Sequence, residues 1–137
     1  MTPVSNQSLI DTIIEDWGNE PQSQICISIV SYLHRRLENP PSHITYGILR
    51  RIIGNNYNES DFLLAIQYLC GARVKLLKPR FELIEDEEVF ELSNDEVKLA
   101  QETGLLIHPE TGEQIKSFDS KVFMYFEPES LVELVAN

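Results

Sequence analysis

Gly18, the pair Pro40-Pro41, Gly54 and Gly71 cut the first half of this chain into four short stretches, each carrying apolar residues at helical spacing. A helix that short is marginal alone and hides its apolar stripe only against a neighbour, so the chain is constrained to a packed set of short helices. In "QSLIDTIIEDW", residues 7 to 17, Leu9, Ile10, Ile13, Ile14 and Trp17 fall on one face. A second helix, about 22 to 38, turns Ile25, Ile29, Val30, Leu33 and Leu37 inward. "NPPS" stops it, because two prolines remove backbone donors and disfavour a continuing helix. A third, about 43 to 53, carries Ile44, Ile48, Leu49, Ile52 and Ile53, with His43 at its start. A fourth, "NESDFLLAIQYLCG", begins with Asn58 or Ser60 as cap and places Phe62, Leu63, Ile66, Leu69 and Cys70 at core spacing.

Beyond Gly71 the apolar period changes from helical to alternating. "RVKL" and "RFELI" read as strand, Pro79 marks an interruption, and "EDEE" is a charged turn before "VFEL". The order of helix, helix, glycine-bounded turn, helix and hairpin over residues 22–92 resembles the winged helix-turn-helix superfamily. The resemblance implies a three-helix core with a β-hairpin wing, the "NESDFLLAIQYLCG" helix taking the place that normally enters the DNA major groove.

After the hairpin, Ser93 and Glu96 form a capping box for a helix that Gly104 ends. "LLIHPETGEQIKSF" reads as strand, tight turn and return strand, and "KVFMYFEP" as a strand apolar on both faces. "PESLVELVA" reads as a closing helix with Pro128 at its entrance. The expectation is therefore an α+β chain of one domain, 1–137: an N-terminal helix (1–21), a winged-helix-like core (22–92) and an acidic helix–strand–helix extension (93–137).

The net charge of −11 opposes general affinity for nucleic acid, but the charge is uneven. From residue 35 to 80 eight cations (Arg35, Arg36, Arg50, Arg51, Arg73, Lys75, Lys78, Arg80) meet three carboxylates, a local +5 against −16 for the rest. Such a patch suits nucleic acid, an acidic partner, or the chain's own acidic segments. The usual winged-helix docking is disfavoured on charge. Glu59 and Asp61 open the groove-facing helix, and Glu85, Asp86, Glu87 and Glu88 form the wing tip, where carboxylates repel phosphate. Those six, with Tyr57, are candidates for a protein partner. Tyr46, Tyr57 and Tyr125 are candidate aromatic anchors.

Chemistry has few footholds. Cys26, His34, His43, Cys70 and His108 show no metal-ligand spacing, and no nucleophile elbow or glycine-rich phosphate loop occurs. "HPETG" resembles the signal cleaved by sortases, with His108 in the leucine position, but Pro109 and Gly112 explain it as a tight turn. No apolar run approaches the ~18 residues of a membrane span. The two cysteines read as a reduced buried pair. The expectation is a soluble cytoplasmic protein with no cofactor, metal or catalytic residue, working through protein contact as an adaptor or accessory subunit. The alternatives are a DNA-binding regulator using the basic middle and an acidic inhibitor or antitoxin-like protein masking a basic site.

Overall fold

The computed structural model describes residues 4–36, 38–129 and 134–135, with side chains described over 7–36 and 38–129. It is a mixed α+β structure. In order the elements are β1 (Val4–Ser5), α1 (Asn6–Trp17), α2 (Pro21–His34), β2 (Ile44–Thr45), α3 (Tyr46–Ile53) and α4 (Glu59–Cys70). They continue with β3 (Leu77–Glu85), β4 (Glu88–Leu92), α5 (Asn94–Thr103), β5 (Leu106–Ile107), β6 (Gln114–Ile115), β7 (Val122–Pro128) and β8 (Leu134–Val135). A single 3-10 turn, Phe118–Ser120, precedes β7.

The packing divides the chain into two compact units, Met1–Lys78 with Phe126–Asn137, and Pro79–Tyr125. In the first, α2 is the central helix and packs with α1, α3 and α4. Its residues explain that position: Ile25, Cys26, Ile29, Val30 and Leu33 are all fully buried, so α2 has apolar residues to offer on several sides. Ile13, Leu49, Phe62 and Leu69 are among the residues clustered with it.

Caps set the helix limits. Thr45 accepts from the Ile48 amide at 3.1 Å and starts α3, which is why Ile44 and Thr45 are strand and not helix. Asn58 accepts from the Asp61 amide at 2.8 Å and starts α4. α2 ends at His34, before the expected 38, with Arg35 as its cap; Leu37 lies outside the described residues. Two positions expected inward are not: Ile14 is 48% and Leu63 43% exposed. Ala65 takes the buried place in α4, because Phe62, Ala65, Ile66 and Leu69 share the face turned to α2.

In the second unit β3 and β4 pair antiparallel, with Phe81 opposite Leu92 and Leu83 opposite Phe90. Leu83 and Leu92 are buried with Val97 and Ala100 of α5, Leu106 and Ile115, and Phe81 and Phe90 pack against them. The sequence grouped this hairpin with the helical core as 22–92. Its apolar side chains instead form a cluster with residues 97–115, and the division falls at Pro79. "RVKL" is not strand: Lys75 has φ 53°, and β3 starts at Leu77 and runs through Pro79. Pairing with β4 begins at Phe81, so the missing amide of Pro79 removes no bond to that strand.

The sheet order is β2-β7-β3-β4. Where a closing helix was expected, Pro128 ends β7 and Leu134–Val135 are strand, paired parallel with Val4–Ser5. Residues 130–133 of that segment lie outside the described residues.

Candidate interaction surfaces

The eight cations of the basic middle are divided between the two units. Arg80 belongs to Pro79–Tyr125 and the other seven cations to the helical unit. Arg73 donates to Asp16 at 3.0 Å and to Glu15 at 3.2 Å, and Arg80 lies 4.0 Å from Glu91. These cations meet the chain's own carboxylates. Arg36 stacks on the Tyr32 ring at 3.8 Å and donates to the Tyr32 carbonyl. Arg50 donates to the Tyr57 carbonyl at 2.6 Å and lies 5.2 Å from the Phe62 ring centre, so it works as a brace between α3 and α4. Arg35, Arg51 and Lys75 are exposed, and Lys78 is half-buried.

The start of α4 is likewise built into the helical unit. Glu59 accepts from the Tyr46 hydroxyl, which holds that phenol above its ordinary range. Tyr46 in turn meets Phe62 edge-on at 5.0 Å. Asp61 accepts from Gln22 Nε2 at 3.2 Å. Tyr57 packs against the core, so it is no free anchor. The outer face of α4 presents Leu63 and Leu64, 43% and 46% exposed, and no cation. A groove-entering helix also needs cations for phosphate, and α4 carries none.

Asp16 collects two donors. The Arg73 guanidinium, then the Tyr68 hydroxyl at 2.5 Å, hold its carboxyl below the usual carboxylate range. A native pKa below the unfolded one gives stability that is complete above the ordinary carboxylate value, about 3.9, and is lost as pH falls through the depressed native value. The difference in urea midpoint between wild type and Asp16→Asn is therefore expected to shrink between about pH 6 and about pH 3. A difference that does not change with pH would show that Arg73 and Tyr68 do not hold the charged carboxylate.

The Pro79–Tyr125 unit carries twelve carboxylates against four cations, a net −8. At its hairpin tip Asp86 and Glu87 have φ of 52° and 68°, the pair of positive values that a type I′ turn requires. Glu85 pairs with Lys121 at 3.0 Å, while Asp86, Glu87 and Glu88 are exposed. Of the seven residues expected to face a protein partner, Glu85 to Glu88 thus lie in this unit, and Tyr57, Glu59 and Asp61 in the helical one.

His108 is buried, and its Nδ1 accepts from the amides of Glu110 and Thr111 at 3.1 and 3.2 Å. It caps the "HPETG" turn from within, and the Phe90 ring meets it edge-on at 4.4 Å. An acceptor Nδ1 leaves the proton on Nε2. The histidine is thus accounted for by the turn.

Beside that turn the same unit exposes Leu99 (56%), Leu105 (46%) and Ile107 (44%). The sequence reading assigned no role to these three. The signal was present: Val97 and Ala100 already fill the inner face of α5, which leaves Leu99 outside it. In Leu105-Leu106-Ile107, alternation lets only the middle residue point inward.

Both cysteines are free thiols. Burial pushes Cys26 up to about 12, and burial with the nearby Glu129 pushes Cys70 up to about 11, so neither is an activated nucleophile. Among the described residues no three His, Cys, Asp or Glu side chains are placed to hold a metal ion. No helix among them is long and apolar enough to cross a membrane. Comparison of the chain with protein-family models, with curated proteins and with solved structures finds no match.

Proposed function

We propose that this chain is a non-enzymatic protein–protein interaction module, a winged-helix-like adaptor or accessory subunit of a larger cytoplasmic complex. The observation that carries the reading is the pairing, within Pro79–Tyr125, of a net charge of −8 with a contiguous group of exposed large apolar side chains, Leu99, Leu105 and Ile107. Scattered surface leucines are ordinary, but a contiguous apolar patch with a polar rim marks a surface that is covered in use. A single-sign field around it gives steering and choice of partner. The winged-helix likeness is supported by the succession α2, α3, α4 and the β3–β4 hairpin.

Two measurements test the reading together. Purification of the tagged chain from its native cells is expected to retain one partner protein at fixed stoichiometry. Filter binding of duplex DNA at low ionic strength is expected to show no retention, because the α4 face lacks cations and Arg73 and Arg80 meet internal carboxylates. Tight DNA binding that falls steeply with salt and disappears in Arg50→Ala/Arg51→Ala would overturn the proposal in favour of a DNA-binding regulator.

A further inference from the structure

The exposed leucines of the acidic unit enclose a shape as well as a patch. Leu99 of α5, Leu105, Ile107 and Pro109 line an open recess of about 500 Å³ together with Glu96 and Glu110. No lysine or arginine lines it. One helical turn to either side of Leu99 stand Asp95, Glu96 and Glu102, three carboxylates against the one cation of α5, Lys98. The buried His108 also lines it, with its Nδ1 held by the turn amides.

The geometry points to a single occupant: we propose that the recess docks a basic amphipathic helix from a partner protein. This rests on the reading of the chain as an interaction module. Apolar side chains one turn apart on the incoming helix would seat against Leu99, Leu105 and Ile107, and flanking lysines or arginines would meet Asp95, Glu96, Glu102 and Glu110. Strand addition is the poorer fit, since β5 is two residues long and offers almost no ladder to extend. Nucleic acid and anionic membrane are disfavoured by the unit's net −8.

The test uses the full chain and a fluorescein-labelled peptide of leucine and lysine, about four helical turns long, in amphipathic order. Its controls are the same composition scrambled and the same pattern with glutamate for lysine. Anisotropy is expected to give a Kd of order 1–10 μM for the amphipathic cationic peptide, and at least about tenfold weaker binding for both controls. Leu99→Gln/Ile107→Thr, which keeps helix and strand preference, is expected to weaken binding about tenfold with the thermal midpoint unchanged. Glu102→Gln/Glu110→Gln is expected to lower affinity several-fold at low salt and to flatten the salt dependence.

Equal binding of the scrambled peptide, or no effect of the Leu99/Ile107 pair, overturns the docking site. So does a dimer of the chain that this pair dissolves, because the recess then belongs to a second copy. The wider reading is tested separately. A native partner retained equally by wild type and by Leu99→Gln/Ile107→Thr removes the recess but leaves the interaction module standing. If wild type retains no partner, the module itself falls.

Discussion

Phe62→Ala is expected to destabilise the helical unit by about 3–5 kcal/mol, the largest loss available from one side chain there. Phe62 is fully buried in α4 and belongs to the cluster around α2. Truncating it removes its own burial and leaves a cavity that close-packed neighbours fill only in part. Two further contacts go with it, the edge-on ring of Tyr46 at 5.0 Å and the Arg50 guanidinium at 5.2 Å. The Tyr46–Glu59 bond and the Arg50–Tyr57 bond both lean on that ring, so α3 and the turn before α4 loosen together. Urea denaturation followed by far-ultraviolet circular dichroism measures the effect, and Phe62→Leu is expected to cost well under half as much. A loss below about 1 kcal/mol for Phe62→Ala would mean that α4 does not pack as described.

Leu83→Ala is expected to cost about 2–5 kcal/mol in the acidic unit. Leu83 is fully buried at the middle of the part of β3 paired with β4, opposite Phe90, and shares its cluster with Leu92, Val97, Ala100, Leu106 and Ile115. That cluster is small, so one missing branch is a large fraction of it. Glu82 and Glu91 sit directly opposite each other across the hairpin, so the apolar contacts on its other face matter more. Amide exchange is the sharper readout. Protection is expected to fall across β3, β4 and α5 in the variant, and unchanged protection there would show that Leu83 is not the centre of this core.

The two substitutions also mark what could be read from residues alone. Phe62 was legible as core because Asn58 and Gly71 fix the ends of its helix and spacing then assigns its face. The same local chemistry gave α1, the capping box of α5 and the position of the hairpin turn. It failed where a residue has two plausible faces, as at Ile14 and Leu63. It failed again where a short strand competes with a helix start, at Ile44–Thr45, and at Leu134–Val135, which pair with β1.

The candidate site was less legible still. Counting charges located the cations between residues 35 and 80 but not their partners, because Arg73 finds Glu15 and Asp16 from more than fifty positions away. Only distance in space separates a cation available to a ligand from one held by the chain itself.

By itself the sequence determined the α+β class, the helix ends marked by glycines, the caps of α4 and α5, and the acidity of the segment that follows Pro79. These are local properties, fixed by hydrogen-bonding groups and periodicity within a few residues. The tertiary structure alone decided which cations are neutralised, that the hairpin shares its core with residues 97–115, and that Leu99, Leu105 and Ile107 are left on the surface. Those outcomes depend on packing between distant segments, where volume and pairing geometry choose among faces that local preference leaves equivalent.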